Sequence, residues 1–179
     1  MPICSRLPPR LGDGDAGWGE TPVFIGTHIV GVDAKGRASV PAPFRALLPG
    51  AKDEAGEKAR VYVWPSYRGP WLEAGDAALL ARYQTALSAR GEFDDLRDDF
   101  DYAIFGEARA LDLDETGRAS LPEDLRAHAQ LNGKAAFVGL SDRFEIWSPP
   151  LLDARVAEAR ARAAEKRGQL ARAAAEAGK

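Results

Sequence analysis

The chain has 179 residues, of which 45% are hydrophobic and 28% are charged, and its formal net charge is −3. These values are typical of a soluble globular protein, and no apolar run approaches the roughly 20 residues that a membrane span needs. One cysteine and two histidines are too few for a disulfide framework or a His/Cys metal site, which points to the cytoplasm. Because the net charge is slightly negative, any contact with a polyanion must depend on local clusters of lysine and arginine.

The first segment of the chain, residues 1–23, is rich in proline and glycine. It lacks the apolar core of a signal peptide, so we expect no export. With little apolar surface to bury, this composition predicts a disordered leader ahead of the first folded segment.

Two segments of the chain repeat one pattern. Residues 32–45 are VDAKGRASVPAPFR and residues 113–126 are LDETGRASLPEDLR. A second match follows, since Ser66 and Ser141 each begin a Ser-x-Arg triplet. Self-similarity of this kind indicates a tandem of one structural unit. Because each copy is small, we expect each to bury only a limited core and to need a partner surface.

The first strands of each copy are predicted to flank a turn. Branched residues before Asp33 favour a strand, and the stretch from Asp33 to Gly36 has turn chemistry with a glycine free to take positive φ. Residues 37–40 then return as a strand. Asp114 and Gly117 hold the same places in the second copy. The pattern predicts a hairpin or a bulged turn in each copy.

A short helix and a second hairpin are predicted after each turn. The prolines that follow the turn strands can start the helices, and the second helix has an acidic first turn that suits the helix dipole. We expect Asn132 and Gly133 to end that second helix. Two pairs of apolar runs flank the later turns: residues 61–64 with 71–72, and residues 136–140 with 144–147.

Helices are also predicted between and after the copies. Apolar residues at helical spacing on either side of Gly91 predict two connecting helices. An Ala- and Arg-rich stretch after Pro150 predicts a C-terminal helix, frayed beyond Gly168. Its apolar face is formed by Leu152, Val156, Ala159, Ala163 and Leu170. The predicted organisation is a leader (1–23), a first copy (24–73), a helical connector (74–102), a second copy (103–149), and a C-terminal helix and tail (150–179).

The repeated motif carries a family resemblance. An Asp-x-x-Gly-Arg turn followed by a short strand, proline and a short helix ending in arginine resembles the AbrB/SpoVT swapped-hairpin family. Two such copies in one chain of this size, with His28 ahead of the first turn, resemble the MraZ family over residues 24–147. Ala38, where a larger aliphatic residue is usual, and the upstream extension depart from that family's pattern.

The resemblance implies a β-rich α+β fold of two tandem, double-psi-like swapped-hairpin units joined by helices, with a C-terminal helix. It implies a homo-oligomer in the form of a ring. It also implies a cytoplasmic, nucleoid-associated transcriptional regulator that binds double-stranded DNA at short direct repeats. Those repeats would lie upstream of a division and cell-wall gene cluster that includes the protein's own gene.

Local charge makes the first turn the predicted DNA contact. Its window carries Lys35, Arg37 and Arg45 against Asp33, whereas the second window is rich in carboxylates. Only the first therefore suits phosphates. We predict that Lys35 contacts a phosphate and that Arg37 enters a groove, since a guanidinium can bond guanine O6 and N7 together. Arg45 is predicted to contact a phosphate or to support the turn.

The other repeated residues are predicted to shape the turns: Asp33, Gly36, Asp114, Gly117, Arg118 and Arg126. Arg118 is expected to pair with the carboxylate of its own turn. In an alternative interpretation, Arg37 does only the same, with the carboxylate accepting N–H groups of its turn.

Two other functions are weighed against DNA binding. An enzyme would need Asp33 and Asp114 to meet and share a proton. The aspartic protease signature, however, places Asp and Gly two residues apart rather than three, and a nearby arginine would keep each carboxylate ionised. A structural oligomer or partner-binding module, supported by the C-terminal helix, is the other alternative. We expect no catalysis, cofactor, metal, membrane or small-molecule substrate.

Overall fold

The computed structural model describes residues 23–50, 58–90 and 94–177, so the predicted leader falls outside the described residues except for Val23. The strands are β1 (Thr27–Gly31), β2 (Arg37–Ser39), β3 (Arg60–Pro65), β4 (Leu72–Gly75), β5 (Arg109–Asp112), β6 (Arg118–Ser120), β7 (Lys134–Gly139) and β8 (Phe144–Trp147). The helices are α1 (Ala42–Arg45), α2 (Ala77–Ser88), α3 (Asp95–Phe100), α4 (Glu123–His128) and α5 (Pro149–Ala177). A π-helical segment, Asp101–Gly106, continues α3. The predicted β-rich α+β class is confirmed.

The strands form one large antiparallel sheet and one small ladder. The sheet has the order β1-β7-β8-β4-β3-β5, and β2 pairs with β6 in a separate two-stranded ladder. The later hairpins, β3–β4 and β7–β8, form as predicted. The first strand pair is not a self-paired hairpin, because only a single bridge, between Val32 and Ala38, joins the strands around the first turn. The turn itself forms, since the N–H of Asp33 donates to the Arg37 carbonyl at 3.0 Å.

Strand exchange between the copies explains this pairing. β1 of the first copy pairs with β7 of the second, and β5 of the second copy pairs with β3 of the first. Exchanging the copies maps β1 onto β5, β3 onto β7 and β4 onto β8, and this leaves the strand order unchanged. The swapped-hairpin tandem is therefore confirmed, and the swap takes place within one chain.

The two copies share a single core on one face of the sheet. That face packs against the β2–β6 ladder and the short helices α1 and α4. Phe44 of α1 is fully buried and its ring lies 5.3 Å from that of Phe144 on β8. The expectation that each copy buries a small core of its own is wrong, because strand exchange interleaves the apolar faces of both copies.

The other face of the sheet is covered by helices. Trp64 packs under α2 against Leu79, whereas Trp71 and Trp147 stack with ring centroids 4.3 Å apart beside Leu152 of α5. These three tryptophans thus fill cores. No helix within the described residues is both long and apolar enough to cross a bilayer.

Two predicted helix ends differ from the structure. α4 ends at His128, earlier than the expected stop at Asn132 and Gly133, because Gln130 already takes a positive φ of 52°. α5 runs unbroken through Gly168 to Ala177. One glycine costs only about 1 kcal/mol in a helix, and the alanine-rich flanks of Gly168 are strong helix formers.

Candidate nucleic-acid interface

The first turn is organised by the carboxylate of Asp33. Its Oδ1 accepts the backbone N–H groups of Lys35 and Arg37, both at 2.9 Å, and its Oδ2 accepts Nε–H of Arg37 at 2.7 Å. The N–H of Gly36 donates to the Asp33 carbonyl at 2.9 Å, with Gly36 at φ +77°. The repeated Asp, Gly and Arg thus form one hydrogen-bonded unit that fixes the direction of the Arg37 guanidinium.

The second turn has the same geometry. Asp114 Oδ1 accepts the N–H groups of Thr116 and Arg118 and also the Thr116 hydroxyl, and Oδ2 accepts Nε–H of Arg118 at 3.2 Å. Gly117 takes φ +76°. The exposed fractions of the two pairs are similar, with side-chain values of 39% and 38% for Arg37 and Asp33 and 41% for both Arg118 and Asp114.

These hydrogen bonds keep both carboxylates ionised. The N–H of Arg37, followed by its guanidinium, lowers the pKa of Asp33 below its usual value. The Thr116 hydroxyl, followed by the N–H of Arg118, lowers the pKa of Asp114. A carboxyl whose folded pKa is depressed stabilises the fold above its unfolded pKa, and this contribution is lost as the pH falls through the folded value. Both turns are therefore intact at neutral pH.

Strand exchange places one arginine of each short helix, Arg45 of α1 and Arg126 of α4, against the turn of the other copy. Arg45 Nη1 donates to the Thr116 carbonyl at 3.1 Å, and its guanidinium packs against Gly117. Arg126 packs against Gly36 and donates from Nε to the Leu121 carbonyl at 3.1 Å. Arg45 therefore supports a turn, which was one of its two predicted roles, but the turn is the second and not its own.

The outer face of the β2–β6 ladder brings both turn arginines to one surface. Arg37 lies opposite Ser120 and Arg118 opposite Ser39, while Ala38 and its partner Ala119 are buried. Because side chains alternate along a strand, both arginines and both serines point away from the core. Arg37 and Arg118 are therefore diagonal neighbours across the ladder, and the Cα atoms of such neighbours are generally about 7–8 Å apart. Sequence patterns did not predict this pairing, because only the register between the copies defines it.

The swap also changes the charge around each turn. The charge contrast between residues 32–45 and residues 113–126 included Arg45 and Arg126, and each of these arginines lies beside the turn of the other copy. Within the turns themselves the contrast persists, since Lys35 is exposed in the first turn and Glu115 in the second. The first turn therefore has two cations, Lys35 and Arg37, and one carboxylate. The second turn has one cation, Arg118, and two carboxylates.

The close packing under the first turn makes a glycine substitution informative. A Cβ on Gly36 would lie 2.7 Å from Arg126 Nε and 2.7 Å from the Leu121 carbonyl oxygen, whereas a Cβ on Gly133, at φ +68°, would meet nothing within 4 Å. The left-handed backbone costs a non-glycine residue about 1–2 kcal/mol at both positions.

Gly36→Ala should therefore lower the free energy of unfolding by about 2–4 kcal/mol, and Gly133→Ala by only about 1–2 kcal/mol. Denaturant unfolding of the two variants measures the difference. Equal losses would show that the turn of one copy does not pack on the other copy.

The described residues show no metal centre and no carboxylate dyad. No group of three or more His, Cys, Asp or Glu side chains among them could hold a metal ion. Asp33 and Asp114 each bind their own arginine. Their turns lie at opposite ends of the antiparallel ladder, because Arg37 pairs with Ser120 at one end and Arg118 with Ser39 at the other.

Comparison with known proteins identifies the relatives of this chain. A family model described as "MraZ protein, putative antitoxin-like" matches residues 104–172. The chain is 43% identical to the transcriptional regulator MraZ of Gluconacetobacter diazotrophicus over 140 residues, which cover 78% of this chain and 87% of that protein. It is 38% identical to the transcriptional regulator MraZ of Xanthobacter autotrophicus over 144 residues, which cover 80% of this chain and 88% of that protein. Likeness of this degree along most of both chains shows that the chain belongs to the MraZ family.

Proposed function

We propose that the chain is a sequence-specific DNA-binding transcriptional regulator that contacts DNA through its first turn. The observation that supports this proposal is the hydrogen bonding of the Arg37 guanidinium. Asp33 holds Nε, and no described residue accepts a hydrogen bond from the two terminal amino groups of the guanidinium. Those groups are the ones that bond guanine O6 and N7. Lys35 is exposed in the same turn, and in this proposal its ammonium group contacts a phosphate.

The other turn residues position this contact. Asp33 and Gly36 shape the first turn, and Arg126 packs beneath it. Arg118 faces the same surface and makes the same kind of bond to its own aspartate, but the exposed Glu115 beside it repels phosphates, so we assign Arg118 a turn-structural role. Arg45, predicted as a DNA contact, remains a candidate phosphate contact besides supporting the second turn.

Recognition by so small an element requires several copies. One turn reads only a few base pairs, whereas several turns on one ring-shaped homo-oligomer would share direct repeats at high effective concentration. Large apolar side chains that a neighbouring copy could cover are exposed: Ile25, Ile29, Tyr102 and Leu170. Because DNA is the partner, we place the protein in the cytoplasm, associated with the nucleoid.

A gel-shift titration tests the proposal directly. The DNA upstream of the protein's own gene, which precedes the division and cell-wall cluster in this proposal, is compared with scrambled DNA of equal length at about 0.15 M salt. We expect the upstream DNA to bind at least about a thousandfold more tightly. Equal affinities would favour the alternative, a structural oligomer without DNA specificity.

Catalysis receives no support from the geometry of the turns. The two turn carboxylates lie at opposite ends of the ladder, and each is bonded to an arginine that keeps it ionised. A shared proton requires two carboxylates in contact. We therefore propose no enzymatic activity.

A further inference from the structure

The C-terminal part of α5 extends beyond the body of the protein. Leu152 is buried on the sheet and Val156 and Ala159 are half-buried, but residues 160–173 are all exposed. The helix continues to Ala177, so residues 160–177 extend it by about 27 Å at 1.5 Å per residue. A helix this exposed gains little stability from its own chain, and the face that packs on the sheet continues uncovered through Leu170, which is 73% exposed.

Cations flank this uncovered face. At helical spacing, Arg160 and Arg167 lie on one side of the Ala163–Leu170 stripe, and Arg162 and Lys166 lie on the other. Arg162 also pairs with Glu158 at 3.4 Å. The carboxylates of this part, Glu158, Glu165 and Glu176, follow the far side of the helix, as does Arg172. We call the stripe and its flanking cations the basic face of α5.

The rest of the chain has the opposite charge. Residues 155–179 hold seven lysines and arginines and three glutamates, which leaves 17 cations (24 − 7) and 24 carboxylates (27 − 3) for the remainder. This separation of charge within one chain favours contact between the tail of one copy and the body of another.

One helix on the body has the complementary chemistry. In α3 and the π-helical segment, Asp95, Asp98 and Asp99 are exposed and form no ion pair with any described residue. At helical spacing Tyr102, which is 79% exposed, lies on the same side as these aspartates, and Leu96, which is 40% exposed, lies at the edge of that side next to Asp99. We call these five residues the acidic face of α3. It offers carboxylates to the cations of α5 and apolar side chains to Leu170.

We propose that the basic face of α5 in one copy docks on the acidic face of α3 in the next copy. This inference rests on the proposed homo-oligomer and names the surfaces that join its members. Because the two faces differ, the contact is heterologous, and repetition of such a contact closes a ring or continues as a filament. DNA is a less suitable partner for the basic face of α5 than a second copy, since α5 lies on the sheet face opposite the ladder that carries Arg37.

Charge reversal on each face tests the contact. Arg160, Lys166 and Arg167 changed to Glu give a tail variant, and Asp95, Asp98 and Asp99 changed to Lys give a face variant. Light scattering on the full chain should give a mass several times 19.3 kDa for the wild type and about one subunit for each variant alone. An equal mixture of the two variants should recover the mass, because each reversed tail then meets a reversed face.

Matched single variants and DNA binding complete the test. Arg167→Glu should weaken assembly, whereas Arg172→Glu, with the same charge change on the far side of α5, should not. Mixing that fails to restore the mass would overturn the proposed pairing. An unchanged mass with weakened binding to scrambled DNA would identify DNA as the occupant and also overturn it. A monomeric wild type would remove this contact and the ring, but operator binding by the first turn is measured separately and could still hold.

Discussion

Replacement of Arg37 by Ala is expected to abolish operator binding. Loss of a bidentate base contact costs about 1–3 kcal/mol. If about three turns engage the direct repeats together, the loss compounds to roughly 3–9 kcal/mol, or about a hundredfold to a millionfold in affinity. Stability should change little, since the side chains of the Arg37–Asp33 pair are more than one-third exposed and exposed ion pairs contribute little to folding. Gel-shift titration and thermal unfolding of the same preparation measure both effects.

Arg118→Ala is the matched control for this prediction. The second arginine makes the same hydrogen bonds and has nearly the same exposure, but it lies beside Glu115 instead of Lys35. We expect this variant to keep most of its operator affinity and to lose a similar, small amount of stability. Equal loss of DNA binding from both variants, with both proteins folded, would show that both arginines on the ladder contact DNA.

Separation of the two copies is expected to abolish folding of each as a monomer. A fragment of residues 23–90 loses β7, the partner of β1, and also loses β5, the partner of β3. The β2–β6 and β4–β8 pairings are lost as well, and a fragment of residues 94–177 loses the same four pairings. The shared core would also be divided, which exposes Phe44 on one fragment and Phe144 on the other. Circular dichroism and analytical ultracentrifugation of each fragment alone test this expectation.

Co-expression of the two fragments provides the control. All four strand pairings between the copies can then form between chains, so the fragments should recover a stable 1:1 complex with the unfolding transition of a single core. A folded monomer from either fragment would contradict strand exchange within the chain and would favour two independent domains.

The local elements of this fold were predictable because their causes are local. The Asp-x-x-Gly-Arg turns form from side-chain bonds to neighbouring N–H groups, and a glycine permits their positive φ. The later hairpins and the helices follow from residue spacing. The partner of β1 was not predictable in this way, since alternation along a strand defines which face is buried but not which strand lies beside it.

The same limit applies to the candidate site. The bond between Asp33 and Arg37 was foreseeable from their spacing. The position of Arg45 under the second turn was not, because it depends on the exchange of strands between copies. For this reason, a count of charges along residues 32–45 or 113–126 does not equal the charge that surrounds each turn in the folded protein.

The most direct test of the central claim pairs a protein change with a DNA change. Replacement of each guanine in the operator by 7-deazaguanine removes the N7 acceptor that Arg37 is proposed to bond. At the guanine that Arg37 contacts, wild-type affinity should fall about fivefold or more, whereas Arg37→Ala, measured at concentrations high enough to see its weaker binding, should not respond. If the DNA substitution weakens both proteins by the same factor at every guanine, Arg37 does not contact a guanine and the account is contradicted.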